Sequence, residues 1–184
     1  MRLPDLPDRI IFDFDPDPGV PWKQVMVGAR EVRDRLAELG LESFLKTTGG
    51  KGLHVTVPII AEYGWLTIKV FARAIAQSME ADSPDEYTTT LSKDARKGKI
   101  FIDYLRNELT ATAVAPFSAR VREDATVATP LNWKELTPAL TPAKFTIETV
   151  PLRLTRLKRD PWKGFNIAHQ KISKSHLKAL EIPF

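Results

Sequence analysis

Two aspartates two residues apart are the first residues of this chain that could perform chemistry. The segment RIIFDFD at residues 9–15 is an apolar run interrupted by Asp13 and Asp15, and its composition predicts a buried strand. Because residues two apart on a strand point to the same side, the two carboxylates could share a cation. Hard carboxylate oxygens favour Mg²⁺ or Mn²⁺. Alternatively, the strand ends at Asp13 and both aspartates are solvated turn residues.

A third aspartate, Asp103, lies in another apolar segment, KIFIDYLRN at residues 99–107. That segment also predicts a strand. Pairing of the two strands could place Asp103 beside the first two aspartates and complete an acidic triad. Such a triad can hold two metal ions around a transferring phosphoryl group. The alternative for Asp103 is an ion pair with Arg106.

The glycine-rich segment KTTGGKGLH at residues 46–54 lies between two predicted strands, 41–47 and 53–59. Backbone N–H groups in such a turn can bind phosphate oxygens, while Thr48, Lys51 and His54 offer a hydroxyl, a charge and a further donor. The spacing matches neither a P-loop nor a dinucleotide-binding fingerprint. An ordinary hairpin and a buried core histidine are the alternatives. His169 and His176 are interpreted as surface residues.

The order of predicted elements indicates an α/β or α+β domain. Helical periodicity covers Trp22–Leu39 and Leu66–Met79, and TATAVAPFS at 110–118 predicts one more strand. Prolines from residue 130 onward argue against a long regular element there. A short basic helix is expected between Gln170 and Leu180.

Composition limits the class of protein. A chain of 184 residues that is 43% hydrophobic suits one domain with its own core. The absence of cysteine excludes disulfides and thiolate metal sites. No apolar run is long enough to cross a bilayer, and the N-terminus lacks a signal-peptide pattern, so we expect a cytoplasmic protein. Residues 151–184 hold eight Lys or Arg against two acidic residues. These basic residues either bind along a phosphate backbone or form a solvated helix face.

Several segments, in this order, resemble one family. They are FDFDPDPGVPW, ELGLESFLKTTGGKGLHVTVP, RKGKIFIDYLRN, TATAVAPFSAR and VATPLNWKEL. Together they are similar to the polymerase domain of bacterial DNA ligase D, within the archaeo-eukaryotic primase superfamily, from about Ile10 to Trp162. The resemblance implies a primase-like catalytic core over residues 1–162, with a mixed or antiparallel sheet flanked by helices. Residues 163–184 would then be a basic C-terminal tail.

The resemblance also implies roles for individual residues. Asp13, Asp15 and Asp103 match the catalytic metal ligands, which would hold Mn²⁺ or Mg²⁺ in a two-metal site. The implied nucleotide-binding residues are Thr48, Lys51, His54, Arg106 and Arg120. The implied activity is transfer of an NTP or dNTP onto a primer 3′-hydroxyl during end-joining repair. The implied partners are a DNA primer-template or DNA ends, and ligase or Ku-type proteins, in a bacterial cytoplasm with association with the nucleoid during repair.

This sequence departs from the family pattern at several places. Thr48 stands where the family usually has serine, and the chain begins almost at the first catalytic strand, where the family has a sizeable preceding region. Two alternatives therefore stay open. The protein could be an inactive remnant that binds nucleotide or DNA, or one part of a split polymerase whose missing region a separate chain supplies. A phosphohydrolase of the haloacid dehalogenase type also begins with a strand and two aspartates. Pro16 and Asp17 do not fit the residues that should follow in that class.

Overall fold

The computed structural model describes residues 6–121, 123–167 and 170–182. Among them, six strands and four α-helices form, joined by short 3₁₀ turns. The strands are β1 (Arg9–Pro16), β2 (Phe44–Thr47), β3 (Leu53–Pro58), β4 (Tyr87–Thr88), β5 (Ile100–Asp103) and β6 (Pro130–Leu131). The helices are α1 (Trp22–Glu38), α2 (Trp65–Asp82), α3 (Thr149–Arg156) and α4 (Lys174–Ala179).

The strands make one sheet in the order β4-β5-β1-β3-β2-β6. β1 lies near the middle and is antiparallel to both β3 and β5. β2 is antiparallel to β3 and β6, whereas β4 runs parallel to β5. The predicted mixed sheet flanked by helices is therefore confirmed.

Helices α1 and α2 contact β1, and α1 also contacts β3. The apolar positions predicted for both helices are buried: Val25, Ala29, Val32 and Leu36 of α1, and Ile68, Phe71, Ala72, Ile75 and Met79 of α2. On β1 the alternate residues Ile10, Phe12 and Phe14 are fully buried in the same core. Because strand side chains alternate between faces, Asp13 and Asp15 point to the opposite face of the sheet. The core thus fixes the direction of both carboxylates.

The predicted strand at 110–118 is wrong. Those residues form turns and irregular chain, and the neighbouring Ala119 makes only an isolated bridge to Val127. Two local features explain this outcome. Pro116 has no N–H to donate to a ladder, and Phe117 adopts a left-handed φ of 64°, which a strand does not accommodate.

The C-terminal part packs on the rest of the molecule. Ile172, Leu177 and Ile182 are buried, and the Trp162 indole donates a hydrogen bond to the Leu45 carbonyl at 2.7 Å. The expected short helix is present as α4, at whose start His176 Nδ1 accepts a hydrogen bond from the Ser173 amide. His169 lies outside the described residues, and the division of the chain at residue 162 stays a prediction. In the described part of the chain, no helix has the length and apolar character that a bilayer crossing requires.

Candidate active site

Four strands place four ionisable residues side by side on the face of the sheet opposite α1 and α2. Lys46 of β2 is paired with His54 of β3, His54 with Asp13 of β1, and Asp13 with Asp103 of β5. Directly opposed residues of antiparallel strands project from the same face. We call Lys46, His54, Asp13 and Asp103 the charged row. All four side chains are largely buried.

Arg106 connects the two carboxylates of the charged row. Its Nε lies 3.1 Å from Asp13 Oδ2 and 3.1 Å from Asp103 Oδ2. The 3₁₀ turn Leu105–Asn107, which follows β5 after Tyr104, brings Arg106 into this position. Asp103 Oδ1 also accepts a hydrogen bond from the Leu105 amide at 2.9 Å. One guanidinium thus neutralises part of the charge of two neighbouring carboxylates.

Asp13 is the most strongly engaged carboxylate. His54 Nε2 lies 3.2 Å from its Oδ1, while Arg106 occupies Oδ2. Burial acts to raise the pKa of Asp13, but His54 and Arg106 outweigh it and leave the pKa below its usual range. Asp13 therefore stays ionised near neutral pH.

Asp15 differs from its neighbour two residues away. Its side chain is 61% exposed, and its nearest cation is Arg96, whose Nη1 lies 3.9 Å from Oδ2. Partial burial, followed by the charge of Asp13, raises the pKa of Asp15. Burial likewise raises the pKa of Asp103, against the lowering effect of Arg106. In both groups burial is the largest cause of the shift, and the charge of Asp13 adds to it.

The glycine turn between β2 and β3 packs directly on β1. A Cβ atom on Gly52 would lie 2.3 Å from the Phe14 carbonyl oxygen, so only glycine fits at this position. The Thr48 hydroxyl donates a hydrogen bond to the Gly52 carbonyl at 3.2 Å and closes the turn. On the outer side, Gly49 has a φ of 66° and its carbonyl accepts a hydrogen bond from Thr126 at 2.6 Å. The packing of Gly52 on β1 and the hydrogen bond from Thr126 thus fix the position of the turn.

One cavity of about 360 Å³ brings together most of the residues that the sequence singled out. Its lining includes Asp13, Asp15, Thr48, Lys51, His54, Arg106 and Arg120. Asp103 is not among the lining residues, but its carboxylate contacts Arg106, which is. The cavity therefore has carboxylates on β1 and cationic groups from three other segments around it. Thr112, Ala113 and Val114 complete one wall, and these residues were not predicted to belong to the site.

Comparison with known proteins decides the family. The family described as the primase-polymerase domain of LigD matches residues 1–162. The chain belongs to the LigD primase-polymerase domain family. The polymerase domain of Mycobacterium tuberculosis ligase D, solved in complex with DNA, superposes with a TM-score of 0.82 at 36% identity. That match covers 89% of this chain and 56% of the solved one, and it confirms the predicted primase-like fold.

Relatives by sequence carry the same family name. The multifunctional non-homologous end joining protein LigD of Pseudomonas aeruginosa is 40% identical over 168 residues, which are 91% of this chain and 20% of that protein. LigD of M. tuberculosis strain H37Rv is 40% identical over 153 residues, 83% of this chain and 20% of that protein. The bifunctional LigD of Bacillus subtilis is 32% identical over 154 residues, 83% of this chain and 25% of that protein. The chain thus spans a fifth to a quarter of these relatives' length.

The donor chemistry of this LigD-type site fits a hard divalent cation, because Asp13 and Asp15 of β1 and Asp103 of the neighbouring β5 provide carboxylate oxygens. The three carboxylates are not gathered into the compact acidic triad that the sequence predicted. Within the described ranges, no group of three or more acidic, histidine or cysteine side chains is gathered as a metal site. Arg106 lies between Asp13 and Asp103, where a cation is otherwise needed, and Asp15 extends toward solvent. The two-metal site stays a prediction.

Lys46 is the residue of the charged row that sequence reasoning did not single out. A signal was available in the hairpin. Counting outward from the glycine turn pairs Thr47 with Leu53 and therefore Lys46 with His54, as the structure shows. A lysine opposite a functional histidine, between two residues of a buried strand, has no solvent to reach. Its environment differs from that of Lys51, which lines the cavity.

Proposed function

We propose that this chain is a metal-dependent nucleotidyltransferase that adds an NTP or dNTP to a primer 3′-hydroxyl during end-joining DNA repair. The main support is the cavity in which Asp13, which lies opposite Asp103 on the neighbouring strand, faces a cluster of cationic side chains. The family and the end-joining relatives support the same class of reaction. We extend the DNA binding of the mycobacterial neighbour to this chain as part of the proposal, with a primer-template or DNA ends as the partner. Ligase and Ku-type proteins are further proposed partners.

The cationic side chains are suited to a triphosphate. Lys51, Arg106 and Arg120 line the cavity from the glycine turn and from the two segments after β5. Guanidinium groups bind phosphate oxygens with two parallel hydrogen bonds, and an ammonium adds a compact charge. The amides of the glycine turn provide further donors. These groups would hold the β- and γ-phosphates and stabilise negative charge that develops on the leaving pyrophosphate.

Arg106 has two possible anionic partners in this proposal. Without substrate it contacts the carboxylates of Asp13 and Asp103 at 3.1 Å. A bound triphosphate offers the same guanidinium an alternative anion in the same cavity. Movement of Arg106 toward the phosphates would leave both carboxylates free for a divalent cation. Substrate and cation binding would then favour one another. The triphosphate draws Arg106 away from the carboxylates that the cation needs, and the cation replaces Arg106 there and leaves it free for the phosphates.

The reaction is an in-line displacement. The primer 3′-oxygen attacks the α-phosphorus, a new P–O bond forms, and the bond to pyrophosphate breaks. Asp13, Asp15 and Asp103 are the residues that would hold the metal. A bound divalent cation supplies Lewis acidity, which lowers the pKa of the attacking hydroxyl and neutralises the leaving group. Asp13 is suited to this task because its low pKa keeps it ionised.

Primer extension tests the proposal. The wild-type chain is incubated with a recessed primer-template, Mn²⁺ or Mg²⁺, and either ribo- or deoxyribonucleotides. We expect extension with at least one metal and one nucleotide set, and none after Asp13→Asn. Asp85→Asn, at an exposed position after α2, is the matched control and should extend normally. Absence of both extension and triphosphate binding in the wild type would contradict the proposal, whereas triphosphate binding without extension would favour a non-catalytic nucleotide-binding role.

A further inference from the structure

Lys46 carries a buried charge without a partner. Its side chain is only 3% exposed, and its Nζ has no hydrogen-bond partner among the described residues. Burial of an unpaired ammonium is strongly unfavourable, and native proteins rarely keep one without a functional reason. The Lys46 side chain therefore needs an explanation beyond packing.

The surroundings of Lys46 show which charge is missing. His54 lies opposite it on β3, and its Nδ1 also lacks a partner among the described residues. Asp13, the negative charge that acts on Lys46, is already engaged by His54 and Arg106. Arg120 is a second positive charge on the same side of the sheet. Burial, and then Arg120, lower the pKa of Lys46 to about 8 against the opposing effect of Asp13, so the ammonium remains mainly protonated at neutral pH.

We propose that Lys46 is a positioning residue for the phosphates of the substrate. This inference rests on the proposed nucleotidyltransferase function. Lys46 does not line the cavity itself, but His54 and Arg120 do, and both lie close enough to Lys46 to interact with its charge. A phosphate held by Lys51 and Arg120 would supply the counter-charge that Lys46 lacks. Charges interact over several ångströms in a buried, poorly solvated site, so direct contact is not required.

A purely structural role for Lys46 predicts different behaviour. If the side chain merely filled space, its charge would only destabilise the folded protein, and methionine of similar length would serve better. A residue retained for binding instead combines a stability loss with a functional gain. The two roles are distinguished by measuring stability and affinity on the same variant.

The test compares Lys46→Met, Lys46→Arg and the control Lys23→Met, which removes an exposed lysine of α1. Thermal midpoints are measured, together with affinities for inorganic triphosphate and for a nucleoside triphosphate by titration calorimetry with Mn²⁺. We expect Lys46→Met to raise the midpoint and to weaken both affinities about ten-fold or more, the size of one lost charge interaction. Lys46→Arg should recover part of the affinity, and Lys23→Met should change neither affinity.

Steady-state kinetics add a second readout. Lys46→Met should raise the KM for the nucleotide more than it lowers kcat, since the lost interaction holds phosphates before and during reaction. A Lys46→Met variant that binds triphosphate as well as the wild type would overturn the inference alone. A Lys46→Met variant that loses both stability and affinity would also overturn the inference, because that result indicates a structural role. If the wild type binds neither triphosphate, the proposed function itself fails, and the Lys46 inference fails with it.

Discussion

Asp13 and Asp103 lie directly opposite one another on adjacent antiparallel strands, and a carboxylate oxygen of each lies 3.1 Å from Arg106 Nε. Two buried like charges at such a position repel each other unless a cation lies between them. Arg106 provides that cation in the free protein. The same two carboxylates are those that a catalytic metal would need. The relationship therefore links the stability of the free protein to the proposed catalytic state.

Replacement of Asp103 should separate activity from folding. In Asp103→Asn, Arg106 keeps its contact with Asp13 and the asparagine has nearly the same shape, so the fold should persist with a small change in thermal midpoint. Primer extension should fall by about 100-fold or more, as when one group that stabilises transition-state charge is removed. Thermal unfolding and primer extension measured on one preparation check this expectation. Extension at the wild-type rate would show that Asp103 has no part in catalysis.

Removal of Arg106 should make the protein depend on divalent cations. Arg106→Met leaves Asp13 and Asp103 without their shared counter-charge, and we expect a loss of about 1–3 kcal/mol, less than for a fully buried pair because Arg106 is partly exposed. Mn²⁺ should raise the thermal midpoint of this variant more than that of the wild type, since no guanidinium competes for the carboxylates.

Arg35→Met is the matched control for Arg106. Arg35 pairs with Glu31 and Asp82 between α1 and α2, away from the charged row. Its loss should lower stability without altering the response to Mn²⁺. Equal midpoint shifts with Mn²⁺ in the wild type and in Arg106→Met would argue against competition between the guanidinium and the metal.

The glycine turn should tolerate no side chain at Gly52. A Cβ atom there would lie 2.3 Å from the Phe14 carbonyl oxygen, which is backbone and cannot move aside without distorting β1. Gly52→Ala should destabilise the protein by about 1–3 kcal/mol, as overpacking usually does, and should weaken triphosphate binding because Thr48 and Lys51 shift with the turn. Gly19→Ala, where no atom lies within 4 Å of the added Cβ, is the control. Similar losses in both variants would contradict the steric argument.

The central part of the fold was predictable because its signals are local. The alternating pattern of β1 and the helical periodicity of α1 and α2 follow from burial on one face, and the structure confirms them. The pairing of Asp13 with Asp103 joins residues 90 positions apart, and no local pattern specifies such a contact. The sequence therefore supported the acidic triad only as an open possibility, and the family resemblance supplied the rest.

The region after β5 shows why one strand prediction failed. The small and β-branched residues of 110–118 have strand propensity, but Pro116 and the left-handed Phe117 prevent pairing. Strand propensity alone does not predict a backbone conformation that tertiary contacts impose. The ion pair between Asp103 and Arg106 was one of the alternatives for Asp103, whereas the contact of Arg106 with Asp13 depends on the turn after β5. Lys46 was missed because its signal lies in the pairing of the hairpin strands and not in the periodicity of β2.

The pH dependence of stability should report the buried charge of Lys46. Its pKa is about 8 in the folded protein, against the ordinary value of 10.5 expected in the unfolded chain. Below pH 8 both states hold the proton, and the folded state bears the full cost of the buried charge. Between pH 8 and 10.5 the unfolded state binds more protons, so the free energy of unfolding contributed by this group rises with pH. The charged groups that face Lys46 are Asp13, His54 and Arg120.

Lys46→Met should lack this rise. Urea unfolding of wild type and variant between pH 7 and 10 gives the difference in the free energy of unfolding at each pH. We expect the variant to be more stable at pH 7, by at most about 3 kcal/mol from the size of the pKa shift, with the difference shrinking as pH rises through the window. Tyr87, whose pKa is raised by burial and by Glu31, titrates in both proteins and cancels in the difference. A difference that is constant with pH would mean that Lys46 titrates normally, and the amine would then have solvent or a partner in the folded protein.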